Sequence, residues 1–414
     1  MVRHIFQRRR LMLIRLSMLA LAASTLPILC QAQTTHNLAY TRHNTVSLTN
    51  ADADRISADG TQLLQMKDSA SDVSCNVTIR RRGSVSSFSN TDGIIDNATE
   101  FVSVENVPGD IKVVRAINWC GSTGGGIIGC ARTPGSSLLM VRFTRNQEGI
   151  LMTHEFGHNQ GLPHRNGLGN LMHPSIGTSR LGVNAAECNA FKAPASLHAI
   201  HSGDEIQAQG TEDGGTLELV RTHYYHGFPV SIGLELPQDD ASLLVQILRD
   251  QEQVEWWPNA MTALGLMGAD NASVEIRELL LSLNREDLDD PFVFRAMATA
   301  PIALGYYVNR TGDRETLDYL IEGADPSLVK EGSFSPLLLD DGGQGGIDAL
   351  SLSGTFIAGL SLAVTEDDRA LNALESIQKS QPSEFQAAVT DAVSQAIFEY
   401  GRVRELGLLE YSEE

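Results

Sequence analysis

A chain of 414 residues with 42% hydrophobic and 20% charged side chains has room for two or three domains and enough apolar residues for a sizeable core. That composition excludes a disordered, collagenous or coiled-coil protein. A formal charge of −20, from 51 acidic and 31 basic residues, makes phosphate-backbone binding a poor trade, so no nucleic-acid partner is expected. The charge is uneven: residues 1–32 hold five Arg and no acid, residues 33–200 hold 14 Lys/Arg against 13 Asp/Glu, and residues 201–414 hold 12 against 38. A near-neutral segment followed by a strongly acidic one reads as two domains.

The N-terminus is basic, with Arg3, Arg8, Arg9 and Arg10, and an apolar run follows over residues 11–29, interrupted by Arg15. Small residues near Ala32 complete the pattern of a secretory signal over residues 1–32, and Arg15 shortens the run below the roughly 18–20 residues that a membrane span needs. No later stretch is long and apolar enough to span, so the mature chain is expected to be secreted or periplasmic. Cys30 leaves with the signal, and Cys75, Cys120, Cys130 and Cys188 remain. Four cysteines in an oxidising compartment imply two disulfides with three possible connectivities. Cys120 and Cys130 are close in sequence across a loop with five glycines, which favours pairing them and leaves Cys75 with Cys188.

From residue 34 to about 200 the pattern is α+β. Residues 52–66 have helical spacing, residues 73–79 and 111–117 alternate as strands, and residues 137–143 form an apolar run of buried-strand type. Residues 147–160 read as a helix stopped by Gly161, and the Gly/Pro/Asn/Ser-rich residues 162–182 as loop. After a junction over residues 201–240, only helices are expected. Asn259 to Gly265 and Arg295 to Gly305 are self-similar, with Leu264-Gly265 and Leu304-Gly305 spaced 40 residues apart. Second helices follow at 273–283 and 314–321, and a third pair fits 354–364 and 368–377, after a Gly/Asp-rich flexible insertion at 340–348. Helix pairs at this period resemble HEAT-type repeats, here over residues 241–414, and a helical solenoid is what the resemblance implies.

One stretch carries chemistry: His154-Glu155-Phe156-Gly157-His158-Asn159-Gln160-Gly161-Leu162-Pro163-His164. His154 and His158 are four apart on the expected helix, so both imidazoles leave one face and can hold one ion. Gly161 lets the chain turn and bring His164 round as a third nitrogen ligand. Three His and an open fourth position are a catalytic zinc arrangement, with one Zn2+ per chain and Glu155 placed as general base.

HExxHxxGxxH followed by a methionine in a tight turn resembles the metzincin zinc peptidases; here the methionine is Met172, eight residues after His164. The resemblance implies an α+β catalytic domain over residues 33–200, a zinc ion on His154, His158 and His164, Met172 as an apolar floor, and hydrolysis of a peptide or protein substrate. It also departs from particular branches, with Arg165 after the third histidine and Pro174 where some carry tyrosine. The buried strand 137–143 is expected to pair with an extended substrate, and residues 172–176 to form the pocket wall beyond the cleavage point. His173 reads as a turn residue. His223 and His226 read as surface or junction residues, since no acidic or Cys partner lies near them in sequence. The acidic helical half is expected to do no chemistry and to attract a basic protein partner. The alternative function is an extracellular binding scaffold with a weak or inactive zinc domain.

Overall fold

Thr49 caps the first helix in a reciprocal box with Asp52, and α1 (Asn50–Gln65) buries Ile56, Leu63 and Leu64. Around it, the computed structural model describes residues 33–67, 72–167, 169–176, 182–193, 215–339, 346–380 and 386–413. The expected signal, the first part of the junction and most of the Gly/Asp-rich insertion lie outside these residues. The described residues from Thr35 onward form one compact unit. It is mixed α/β with a C-terminal helical region.

The first strands are β1 (Thr34–Leu38), β2 (Tyr40–His43), β3 (Val77–Arg81) and β4 (Ser86–Phe88). The expected strand at 73–79 begins only at Val77, after Cys75. Then come β5 (Ile94–Ile95), α2 (Ala98–Glu105), β6 (Ile111–Val114) and β7 (Ala116–Cys120), the span 111–117 being broken into two strands at Arg115. Next are β8 (Ser122–Ile127), β9 (Gly129–Ala131) and β10 (Leu138–Val141). The main sheet has the order β4-β2-β6-β10-β9, parallel except for the antiparallel last strand. β10, all of whose residues are buried, pairs with β6 on one side and β9 on the other. Both of its edges are taken, so it cannot pair with an extended substrate as expected; on this side of the sheet the edge strand is β9.

The glycine-rich span between Cys120 and Cys130 is likewise not a loop. It forms β8, in a three-stranded sheet β5-β7-β8, and its glycines let a helix approach the strand. A Cβ on Gly125 would run into the Thr262 side chain.

After the short α5 (Thr216–Val220) and α6 (Val230–Glu235), the helical region contains α7 (Ala241–Arg249), α8 (Trp257–Met267), α9 (Ala272–Ser282), α10 (Pro291–Thr311), α11 (Arg314–Ala324), α13 (Ala349–Leu362), α14 (Arg369–Ser380) and α15 (Gln386–Glu413), with the short α12 (Pro326–Glu331) before the insertion. Helices α8, α10, α13 and α15 stack in succession as a central layer, and α9, α11 and α14 lie outside them. The two Leu-Gly pairs are where neighbouring central helices touch. A Cβ on Gly265 would strike the Ala303 carbonyl, and one on Gly305 the Gly359 carbonyl. The 40-residue spacing is therefore a backbone-contact repeat.

This layer docks on β7 and β8. Asn118 donates to Asp96 (2.7 Å) and to the Ala298 carbonyl (3.2 Å), and Tyr411 accepts from the Thr123 amide (2.8 Å). Among the described residues no helix is long and apolar enough to cross a membrane.

Both cysteine pairs sit at disulfide distance as expected, Cys120 with Cys130 and Cys75 with Cys188, a pattern compatible with an extracytoplasmic protein. The second pair closes a separation of 113 residues. Replacing Cys75 and Cys188 together by serine is expected to lower unfolding free energy by about 4 kcal/mol, within the range for closing so long a loop. Denaturant unfolding measures this, and a change below about 1 kcal/mol would deny the bond a bracing role.

Candidate metal centre

The site is built on α3 (Glu148–Asn159), which follows β10 and ends as Gly161 turns the chain at φ +80°. His154 and His158 lie one turn apart, and their Nε2 atoms are 3.1 Å from each other. Each ring donates its Nδ1–H to a carbonyl oxygen, His154 to Leu171 (2.8 Å) and His158 to Leu162 (2.8 Å). Carbonyls only accept, so both Nδ1 atoms carry the proton and both Nε2 atoms present lone pairs to the same space. Two buried lone pairs at this distance repel unless a cation lies between them. A proton is a poor candidate, because burial pushes His158 down to about 3 and, with the neighbouring imidazoles, holds His154 well below its ordinary range.

His164 arrives after the turn, with its Nε2 buried and unpartnered. A fourth imidazole joins these three. His154, His158, His164 and His226 place one ligand atom each within 4.8 Å of one another, a cluster that could hold a metal ion. His226 follows β12 (His223–Tyr224), and its backbone bridges Ile127 at the end of β8. Its neighbour Tyr225 stacks on the His154 ring at 3.6 Å and 6°. No acidic or Cys partner lies near His226 in sequence, and the structure, instead of leaving it at the surface or junction as expected, gives it histidine partners from far along the chain. The only local signal was the His223-Tyr224-Tyr225-His226 pattern itself. His173 is outside the cluster and accepts from the Ser175 amide (3.1 Å), as a turn residue does.

Glu155 is fully buried beside the four rings, with neither carboxylate oxygen hydrogen-bonded. It lies against Gly129 of the edge strand, where a Cβ would collide with Oε1. His226 Nε2 stands 3.6 Å from Oε1, too far for a hydrogen bond. Burial raises the Glu155 pKa, and the nearby His226 opposes the rise. A carboxyl left without donors in a buried site is expensive, and such groups mark sites prepared for something else.

Met172 is fully buried, and its Sδ lies so near α3 that a Cβ at position 157 would push it aside. The turn that carries it is braced on two sides. The Arg165 amide donates to the Met172 carbonyl (2.8 Å), and the Arg165 guanidinium grips Glu187 with two bonds (2.6 and 3.0 Å). Glu187 belongs to α4 (Ala185–Lys192), which also carries Cys188. Arg165 is thus a structural clamp for the turn. The expected pocket wall contains β11 (Ser175–Ile176), which pairs antiparallel with β12, so the His223 segment covers it.

Fold and site together define a mixed α/β protein with a helical region and a buried histidine cluster able to take a metal ion. No protein-family model matches the chain, and no curated protein matches it.

Proposed function

We propose that this chain is an exported zinc endopeptidase of the metzincin kind, whose C-terminal half is a HEAT-like helical array. The observation that carries the reading is the convergence of the His154, His158 and His164 imidazoles beside a Glu155 carboxylate that makes no hydrogen bond. All-nitrogen donors, two of them with tautomers fixed by carbonyls, suit zinc better than calcium or magnesium, which take oxygen ligands. Bound zinc supplies a Lewis acid that polarises a carbonyl and makes a water nucleophilic near neutral pH. Glu155, the buried carboxylate beside the imidazoles, would accept a proton from an attacking water and return it to the departing amine. The Leu171 and Leu162 carbonyls hold the imidazoles in aim, and Met172 keeps water from beneath them. The glycines that seat the central helices against one another support the HEAT-like reading, and the acidic surplus of that half favours a basic protein partner.

A second reading rests on His226. Four imidazoles are also the complement of a closed, structural metal site, which would suit a binding scaffold.

The test is metal analysis of the mature chain with digestion of a proteome-derived peptide library. One zinc per chain is expected, with cleavage abolished by chelation and restored by added zinc. Cleavage that survives chelation in a protein without stoichiometric zinc would sink the assignment.

A further inference from the structure

We propose that His226 is the fourth ligand of the metal and that the segment around it is an intrachain strap which closes the site. The protein as folded is then latent until the strap withdraws. This rests on the peptidase reading for its consequence, but its geometry stands on the four rings alone. Imidazoles bound tetrahedrally with metal–nitrogen distances of about 2.0–2.1 Å hold their ring centres roughly 5.2 Å apart. The three motif rings are separated by 4.7, 5.3 and 4.8 Å. His226 lies 6.2, 5.4 and 5.0 Å from His154, His158 and His164. The separations from His158 and His164 match a fourth corner of one tetrahedron, and that from His154 is about 1 Å longer, a gap that a small rotation of the His226 side chain closes. They are too short for a residue acting on substrate from beyond the metal.

Its Nε2 is buried and has no hydrogen-bond partner, while its side chain as a whole is 32% exposed. That buried nitrogen stands 3.6 Å from Glu155 Oε1, on the side of the ligand cluster, while the rest of the ring is partly exposed, as in a plug at the mouth of a site. A catalytic zinc keeps one position for water or substrate, and here an imidazole fills it.

The strap also takes the backbone edge that a substrate would need. The Tyr225 carbonyl accepts from the Ile128 and Gly129 amides (2.9 and 3.1 Å), and the Phe228 amide donates to the Gly125 carbonyl (3.0 Å). An extended substrate pairing at Gly129, beside Glu155, must displace those bonds.

Its anchors are in the helical region. Asn259 of α8 donates to the Val220 and Thr222 carbonyls (3.0 and 2.8 Å), and Trp256 stacks on His223 at 4.0 Å. Tyr224 and Phe228 belong to the hydrophobic cluster of the helices, whereas Tyr225 between them belongs to that of the sheet. A shift in the helical layer therefore pulls directly on His226. Withdrawal exchanges one neutral donor for another, a water, so no proton has to move.

The test uses the full mature chain loaded with one Co2+ in place of zinc, comparing wild type with His226→Ala and His226→Phe. The phenylalanine variant fills the space without offering a nitrogen. Wild type is expected to show the visible spectrum of a four-nitrogen tetrahedral site, insensitive to added azide. Both variants should keep the metal, change spectrum and respond to azide. With zinc they should cleave peptides at least about tenfold faster, if the open form of wild type is populated at a tenth or less. Variants with an unchanged spectrum, or a wild type that already binds azide, would overturn the strap while leaving the peptidase reading intact. If the variants open to azide yet none hydrolyses peptide, the fourth ligand stands and the peptidase reading fails.

Discussion

Glu155→Gln is expected to keep one zinc per chain and to lose about 10²–10⁴-fold in peptide hydrolysis, the range for removing a general base. The glutamine amide matches the carboxylate in shape, so the packing against Gly129 is preserved. It carries no charge to bury, and the wild-type oxygens have no hydrogen-bond partner to lose. Thermal stability should therefore stay level or rise, which separates a catalytic defect from a folding one. Equal turnover by wild type and Glu155→Gln would remove Glu155 from the mechanism and favour the scaffold reading. The comparison is best made in the His226→Ala background as well, where closure by the strap no longer limits the rate.

His158→Ala should act earlier, on the metal itself. His158 is buried on α3, and its ring is fixed by the Leu162 carbonyl, so it enters the site already aimed. Disturbing groups that merely orient a ligand costs about 10–100-fold in metal affinity, and removing the ligand should exceed that. Dialysis against a competing chelator, followed by metal analysis, should leave His158→Ala empty under conditions where wild type stays loaded. Wild type should also lose its metal-dependent gain in thermal stability on chelation, whereas the variant should have none to lose. Retention of one metal at wild-type affinity would show that His158 is not a ligand.

The segment most open to sequence reading is α3 with the turn after it. A four-residue spacing puts His154 and His158 on one helix face whatever the tertiary context, and Gly161 takes the left-handed conformation its place after the helix demands. The repeat glycines were visible as a period, although not as contacts. The cysteine pairs were legible because only a few connectivities exist for four residues.

What the chain order could not reveal concerns neighbours. Residues 137–143 read correctly as a buried strand, yet whether such a strand is central or at an edge depends on partners from residues 111–114 and 129–131. The five glycines between Cys120 and Cys130 looked like a loop because their permissive backbone is a local property. The helix that presses on them, and makes a strand of small residues necessary, comes more than a hundred residues later.

The sequence by itself determined that His154, His158 and His164 come together and that the acidic half is helical, because each rests on spacing within a turn or two of chain. Only the tertiary structure decided that His226, 62 residues beyond His164, completes the cluster. It gets there through its own bridge to Ile127 and the bonds that the neighbouring Tyr225 carbonyl accepts from Ile128 and Gly129, and register between distant strands leaves no periodic trace in the residues that adopt it.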